Sequence, residues 1–205
     1  MTEQSLARKI WNFLWNDNSI WSWIISLILA FVIVKFLLFP GLSLVLSTPL
    51  PLVVIESGSM HHSGSLIKGL TGFAVSEEDS VQVWYNNSVW YKEHDISSEE
   101  TEKWRFNTGL DKGDIIVVKG KKSSDLKIGD VIIFNAGQQN PIIHRIVGIQ
   151  QDKNSIHFST KGDNNAGQLT FETNIPADAV LGKASVRIPK IGWIKLVFVE
   201  IIRSF

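Results

Sequence analysis

Apolar residues occur in two patterns along this chain, first as one long stretch and then as short runs separated by polar turns. Residues 20–39 form the long stretch, which is apolar apart from Lys35 and two serines. About twenty helical residues span a hydrocarbon core of roughly 30 Å. Arg8 and Lys9 precede the stretch, and basic residues tend to remain on the cytoplasmic side of a membrane. The pattern predicts a transmembrane anchor at 20–39 with a cytoplasmic N-terminus, residues 1–19.

A cleavable export signal is the alternative interpretation of this stretch. Such signals have a shorter apolar core that ends in a small-x-small cleavage site. Residues 43–49 offer little of that pattern. Tryptophans suited to an interfacial aromatic belt lie before and at the start of the stretch at 20–39, namely Trp11, Trp15, Trp21 and Trp23. Because the sequence Ser57-Gly58-Ser59-Met60 follows so closely, an uncleaved anchor is the favoured prediction.

The segment at 40–64 stays apolar as far as Ile55 and is punctuated by prolines. Pro49 and Pro51 disfavour one continuous helix and favour an extended path. We therefore expect a membrane-proximal segment that leads from the anchor into the next domain.

Short β-branched runs dominate residues 113–190, and turns rich in Gly, Asp, Asn and Lys separate them. The runs are 115–118, 131–134, 142–149 and 155–160. Runs of this length and spacing are typical of strands. The pattern predicts a compact, mainly β domain of barrel-like or sandwich form.

The region at 65–112 differs in composition, because acidic and aromatic residues accumulate there. Ser97 followed by Glu100 fits a capping box, and the region predicts two short helices. We expect an insert that acts as a substrate lid, a membrane-dipping paddle or a docking surface. The alternative is that its aromatic residues pack inward as a satellite core.

The C-terminal segment, 191–205, repeats apolar residues at helical spacing and is interrupted by Lys195, Glu200 and Arg203. It is short for a membrane span, so an interfacial or core-covering amphipathic helix is the favoured prediction. A second membrane segment is the alternative.

Composition excludes some classes of function. The chain has 205 residues and a formal net charge of +0, which suits one domain plus an anchor and gives no reason to expect a nucleic-acid partner. The chain has no cysteine, which excludes disulfides, thiolate chemistry and cysteine-based zinc sites. The adjacent His61 and His62 lack matching partners at metal-ligand spacing, so no metal site is predicted.

Three residues suggest acyl-transfer chemistry. Ser59 lies in the Gly-containing sequence Ser57-Gly58-Ser59-Met60, His144 lies within an apolar β-branched run, and Asp163 lies in the turn Lys161-Gly162-Asp163-Asn164-Asn165. A serine hydroxyl needs a neighbouring base to become a nucleophile, and a carboxylate holds an imidazole in one tautomer. Each residue alone is more often a turn or core residue, so the constellation depends on all three meeting in space.

These motifs, in this order after an anchor, resemble the boxes of type I signal peptidases. They are Ser-Gly-Ser-Met (57–60), Gly-Asp-Ile-Ile-Val-Val (113–118), Gly-Asp-Val-Ile-Ile-Phe (129–134), His-Arg-Ile-Val-Gly (144–148) and Lys-Gly-Asp-Asn-Asn (161–165). Bacterial members carry a lysine base where His144 stands. The His-Arg form is similar to the archaeal and endoplasmic-reticulum type. The resemblance implies a signal-peptidase-like β domain with a Ser/His/Asp mechanism.

The resemblance also implies the role of each residue. Ser59 is expected to be the nucleophile, His144 the general base and Asp163 an acidic partner. Ser57 and Met60 are expected to support the oxyanion and the substrate. The archaeal and reticulum pattern has a second aspartate a few residues after the turn. Here Glu172 is the available carboxylate, at a later position, so Asp163 and Glu172 both stay open as partners of the base.

The expected function is removal of signal peptides from exported preproteins by a single-pass protein of the cell membrane, with its catalytic domain on the non-cytoplasmic side. The expected partners are signal peptides, the lipid membrane and the protein translocation machinery, and no metal or organic cofactor is expected. Two alternatives stay open. One is a catalytically silent, membrane-anchored binding module. The other is a self-cleaving Ser/Lys-type protease, for which Lys161 would be a candidate base.

Overall fold

The computed structural model describes residues 5–62, 77–153 and 155–204. The chain forms two compact units, Met1–Val45 and Leu46–Phe205. Residues 63–76 lie outside the described residues, so the predicted boundary at 64/65 falls where no structure is described.

The first unit is helical. Helix α1 (Leu6–Asn16) is followed by α2 (Ile20–Ile33), a π-helical turn (Val34–Leu38) and α3 (Phe39–Leu46). The last three run on as one helix, Ile20–Leu46, which is long and apolar enough to cross a membrane. Two serines of this helix bond to carbonyls of α1: Ser22 Oγ to Phe13 O at 2.5 Å and Ser26 Oγ to Leu14 O at 3.4 Å. The polar side chains in the apolar stretch therefore join the two helices.

The helix continues past Phe39, the predicted end of the anchor, although Pro40 follows. A proline ring within a helix meets the carbonyl four residues earlier and lacks an N–H donor. The π-helical turn ends at Leu38, two residues before Pro40, and the Phe39 N–H bonds to Val34 O, five residues back. Such a turn is a usual way to absorb a disturbed helical ladder. The helix ends at Leu46, before Pro49 and Pro51.

The second unit is built on one curled antiparallel sheet in the strand order β1-β2-β7-β3-β4-β5-β6. The strands are β1 (Leu52–Val54), β2 (Ile115–Lys119), β3 (Val131–Phe134), β4 (Ile142–Gln151), β5 (Ile156–Lys161), β6 (Ile175–Pro176) and β7 (Val180–Ile188). The last strand in sequence, β7, lies between β2 and β3 and so joins the early and late parts of the domain. The predicted mainly β fold class is confirmed.

The core lies on both faces of this sheet. Successive residues of a strand point to opposite faces, and all four residues of β3 are buried. Ile133 packs with Ile55, Met60 and Leu110 in one cluster. Ile132 and Phe134 belong to another cluster. A strand buried on both faces reads as a continuous apolar run, which is why 131–134 showed no alternation.

Three short helices lie within the described part of the predicted insert, where the sequence indicated two. They are α4 (Glu77–Asn87), α5 (Val89–Glu93) and α6 (Ser98–Glu102). Ser97 caps α6, since its Oγ accepts a bond from the Glu100 N–H at 3.2 Å. Trp84, Tyr91 and Ile96 form a third core cluster, so the aromatic residues of the insert do pack inward.

The C-terminal segment forms helix α7 (Trp193–Arg203). Ile194 and Phe198 are among its exposed apolar side chains. Its first residue, Trp193, lies against Gly113, where a Cβ would come within 2.2 Å of the indole ring and where φ is +88°. The helix therefore begins on a site that admits only glycine.

Candidate active site

Ser59 lies in the turn that follows β1. The neighbouring Met60 is buried in the core with 1 % of its surface exposed, and its carbonyl accepts a bond from the Leu110 N–H at 2.8 Å. The hydroxyls of Ser57 and Ser59 are 3.1 Å apart. The buried methionine thus anchors a turn whose serines stay accessible, and Met60 supports the loop from the core side.

His144 lies on β4, opposite Ile132 of β3. Its side chain is buried, and its Nε2 atom is 2.9 Å from Ser59 Oγ. The Nδ1 atom bonds to Glu172 Oε1. When Nδ1 carries the proton, Nε2 is free to accept the serine proton, which is the arrangement that acyl transfer requires.

Glu172 is held in place by the backbone of its own turn. It ends a 3-10 turn, Thr170–Glu172, and its side chain is fully buried. Its Oε2 atom accepts a bond from the Leu169 N–H at 2.7 Å, and its Oε1 atom lies 3.4 Å from Thr160 Oγ1. Both carboxylate oxygens therefore have partners, and these contacts fix the orientation in which Oε1 faces His144.

Asp163 contacts a different set of groups. Arg145 Nε and a terminal nitrogen of Arg145 approach its carboxylate at 2.9 and 2.6 Å. His62 Nε2 lies 2.8 Å from Oδ2, and the Tyr91 hydroxyl donates to Oδ1 at 3.0 Å. The backbone carbonyl of Asp163 accepts a bond from the Trp84 indole at 3.2 Å. The carboxylate bonded to His144 is thus that of Glu172, and Asp163 lies at the centre of a neighbouring buried network.

Arg145 closes this network on its other side. Its guanidinium is fully buried and donates to the carbonyls of Arg105, Gly129 and Phe106 at 2.9, 2.8 and 3.0 Å. The ring of Trp104 lies 5.2 Å from the guanidinium carbon. A buried cation needs a counter-charge and filled donor sites, and Arg145 has both.

The charges in the network balance. Burial alone would raise the pKa of Asp163, but Arg145 and the bond from His62 outweigh it and hold that pKa well below its usual range. Burial lowers the pKa of His62 and, with the charge of Asp163, raises that of Tyr91. His62 and Tyr91 are therefore neutral donors around one ion pair.

The turn that contains Asp163 also holds the Ser59 loop. Asn164 donates its backbone N–H to Ser59 O at 2.7 Å and its side-chain amide to Gly58 O at 3.1 Å. Gly162 lies beside the base, because a Cβ there would be 2.8 Å from His144 Nε2. One turn thus holds the backbone of the Ser59 loop and lies beside the His144 ring.

Lys161 is a structural cation of this turn. It has 1 % of its surface exposed, and its Nζ donates to Gly162 O at 3.0 Å and Asn165 O at 2.7 Å. Burial lowers the pKa of Lys161 to about 8, although the negative charges of Asp163 and Glu172 act to raise it. Its ammonium is used to close the turn.

The other histidine of the adjacent pair joins a separate ion-pair group. His61 Nδ1 lies 2.7 Å from Asp111 Oδ1, and Asp111 also pairs with Arg187 and Lys190, both at 3.0 Å. Among the residues that the structure describes, no group of three or more His, Cys, Asp or Glu side chains is placed to hold a metal ion. The two histidines therefore belong to two carboxylate networks.

Comparisons with known proteins find signal peptidase catalytic subunits among the relatives of this chain. Over 97 residues, 43% of this chain and 57% of the relative, the chain is 30% identical to the signal peptidase complex catalytic subunit SEC11 of Clavispora lusitaniae. It is 27% identical to SEC11C of Homo sapiens over 97 residues, 42% of the chain and 48% of the relative. Over 147 residues, 69% of the chain and 58% of the relative, it is 27% identical to SEC11 of Tuber melanosporum.

The chain is homologous to SEC11-type signal peptidase catalytic subunits. The resemblance to the endoplasmic-reticulum type of signal peptidase is thereby confirmed. The chain matches about half the length of these curated relatives. No protein-family model matches it.

Most residues of this candidate site were predicted from the sequence, but their contacts were not. The structure brings Ser59, His144 and Glu172 together and sets Asp163 among Arg145, His62 and Tyr91. The partners of Asp163 were missed. The signals that could have found them were the basic residue directly after His144 and the histidine close behind Ser59.

Replacing Asp163 by Asn is expected to lower the free energy of unfolding at neutral pH by about 3–5 kcal/mol, because Arg145 would stay buried without a counter-charge. The depressed pKa of Asp163 contributes stability that is complete above the unfolded pKa of about 4 and is lost as the pH falls through the lower folded value. The difference in the free energy of unfolding between wild type and variant should therefore become smaller in acid. Denaturant unfolding in detergent near pH 7, 5 and 3 measures it.

Asp178→Asn is the matched control for this measurement, because Asp178 is exposed and its loss should change stability little. A destabilisation by Asp163→Asn that is equally large near pH 7 and pH 3 would show that the carboxylate charge is not its source.

Proposed function

We propose that this chain is a membrane-anchored serine endopeptidase that removes signal peptides from exported preproteins. The observation that carries the proposal is the continuous contact from Ser59 Oγ through His144 to Glu172, with Nε2 and Oγ 2.9 Å apart. The homology to SEC11 subunits supports the substrate class. The long apolar helix supports the anchor.

The proposed reaction begins with attack by Ser59 Oγ on the carbonyl carbon of the scissile peptide bond. His144 Nε2 takes the serine proton as the new C–O bond forms. The same proton is then given to the leaving amine as the C–N bond breaks. Water then attacks the resulting ester while His144 Nε2 takes a proton from it. His144 gives this proton to Ser59 Oγ as the ester C–O bond breaks, which releases the carboxylate product and restores the serine.

Glu172 has the orienting role in this proposal. A carboxylate at Nδ1 holds the imidazole in the tautomer that leaves Nε2 free, and it stabilises the imidazolium that forms. Glu172 has the contact for this role. Asp163 supports the site indirectly, because its bonds to Arg145 and His62 hold the turn in which it lies.

The oxyanion is proposed to bind to the Ser57 hydroxyl and the backbone N–H of Ser59. Donors preorganised at the position of developing charge contribute more to catalysis than mobile ones. Ser57 Oγ is 3.1 Å from Ser59 Oγ, so its hydroxyl lies next to the atom that attacks. Met60 supports this loop from the core.

Lys161 is not assigned as the base, because its Nζ is used by two carbonyls of its own turn. We therefore propose a Ser/His mechanism in preference to the Ser/Lys alternative. The proposed location is a membrane, with one transmembrane pass and the catalytic unit on the non-cytoplasmic side. The relatives are named as subunits of a complex, and we propose that this chain likewise acts beside the protein translocation machinery.

Ser59→Ala is expected to lower preprotein cleavage by roughly 10⁴-fold or more while the protein stays folded, since the nucleophile is lost. Cleavage by purified full-length protein in lipid measures this, with gel analysis of the released signal peptide. Ser124→Ala, at an exposed serine far along the chain, should cleave like wild type. If Ser59→Ala retained wild-type cleavage, the proposed nucleophile would be wrong, and absence of any cleavage by folded wild type would favour a binding module.

Glu172→Gln is expected to lower kcat by about 100-fold or more, because an amide can present its N–H₂ group to His144 and favour the wrong tautomer. Michaelis constants for the preprotein should change little, since Glu172 is fully buried. The measurement is steady-state cleavage, together with the melting temperature of the variant. Wild-type kcat in a folded Glu172→Gln protein would remove Glu172 from the mechanism.

Gly162→Ala is expected to lower kcat/KM by about 100-fold, because its Cβ would lie 2.6 Å from Asn165 Nδ2 and 2.8 Å from His144 Nε2. With the Asn165 amide on the other side, the imidazole ring is displaced from Ser59. Gly167→Ala is the matched control, since its Cβ would meet only Trp90 Cδ1, at an ordinary 3.8 Å. Both variants are assayed for cleavage and for thermal unfolding. Equal activity of the two would show that the space beside His144 is not critical.

A further inference from the structure

Two polar donors of the insert bond to one residue of the turn at 162–165 that follows β5, which is called the catalytic turn below. Trp84 of α4 donates its indole N–H to Asp163 O at 3.2 Å, and Tyr91 of α5 donates its hydroxyl to Asp163 Oδ1 at 3.0 Å. His62, which stacks on Trp84 with ring centroids 3.9 Å apart, bonds to the other carboxylate oxygen. A satellite core that only filled space would not direct these donors to Asp163.

The position of Asp163 affects both reacting groups. Gly162 on one side leaves the space that His144 Nε2 occupies, and Asn164 on the other side holds the carbonyls of Ser59 and Gly58. A shift of Asp163 would move both neighbours, because they are joined to it by single peptide units. The insert therefore reaches the Ser59–His144 contact through one short turn.

Tyr91 cannot act by touching a substrate. Its relative exposure is 0%, and Trp84, Trp90 and Trp104 pack edge-on around its ring. Lys161 Nζ lies 4.7 Å from the ring centroid and donates to carbonyls of the same turn. The phenol is thus held rigidly, and its effect on chemistry passes through Asp163 and the turn.

We propose that the helical insert positions the catalytic turn, and that Tyr91 is the positioning residue through which it does so. The inference rests on the proposed function, because the turn matters for chemistry only if Ser59 and His144 react. It assigns the insert a role within the catalytic unit, distinct from that of a lid, a paddle or a docking surface.

Tyr91→Phe in the full-length protein tests the proposal, because it removes one hydroxyl and keeps the ring. We expect kcat for preprotein cleavage to fall by on the order of tenfold, since the turn loses one of its restraints and Ser59 and His144 spend less time aligned. KM should stay within about twofold, because the hydroxyl is buried away from the substrate. Trp84→Phe, which removes the other donor, should likewise lower kcat and leave KM within about twofold of wild type.

Tyr85→Phe is the matched control. The Tyr85 hydroxyl lies in the same insert and donates to Ile96 O at 2.8 Å, so its loss weakens the insert without removing a bond to the turn. We expect a drop in melting temperature similar to that of Tyr91→Phe, with kcat within about twofold of wild type. Activities are compared at a temperature at which all variants are folded.

A second readout separates this inference from the proposed function. The rate at which a fluorophosphonate probe labels Ser59 reports alignment of hydroxyl and base without any signal peptide, and Tyr91→Phe should slow it in parallel with kcat. If wild type is labelled but cleaves no preprotein, the substrate assignment fails, and the labelling rates still decide the role of Tyr91. If Tyr91→Phe and Tyr85→Phe react alike in both assays, or wild type is not labelled at Ser59, the positioning role is overturned.

Discussion

The buried ion pair between Arg145 and Asp163 is the constraint on which the site depends. Two charges removed from water are tolerated only when they meet with good geometry and when their remaining donors and acceptors are filled. Arg145 meets this demand with three backbone carbonyls in addition to Asp163, and Asp163 with His62 and Tyr91 in addition to Arg145. These partners come from separate parts of the chain, so the pair fixes several loops at once.

Strand register explains how this pair comes to serve the reacting groups. His144 and Arg145 are adjacent on β4 and therefore point to opposite faces of the sheet, one toward Ser59 and the other toward Asp163. Lys161 ends β5 directly opposite Arg145, so the turn at 162–165 begins beside the guanidinium. Two cations opposite each other are unfavourable, and Asp163 supplies the charge that offsets both. Anchoring and proposed chemistry thus use neighbouring positions of one strand.

The sequence was most informative where local pattern and chemistry coincide. Runs such as 131–134 are strands because β-branched residues suit a pleated, buried surface, and Ser59 and His144 stood out by residue type within their motifs. The pairing of carboxylates could not be foreseen, because it depends on where a turn directs a side chain. The path of the helix through Pro40 was missed for a related reason, since the π-helical turn that accommodates the proline leaves no residue signature.

Glu172 lies well after Asp163 in the chain, but the local fold brings its carboxylate to His144. Glu172 follows the Gly-Asp-Asn-Asn turn by several residues and has one more methylene than an aspartate. The 3-10 turn at Thr170–Glu172 directs the chain back toward β5, where Thr160 meets the carboxylate. The Leu169 N–H then fixes the second oxygen. A glutamate side chain on this returning turn therefore reaches His144, and Asp163 is left to hold Arg145.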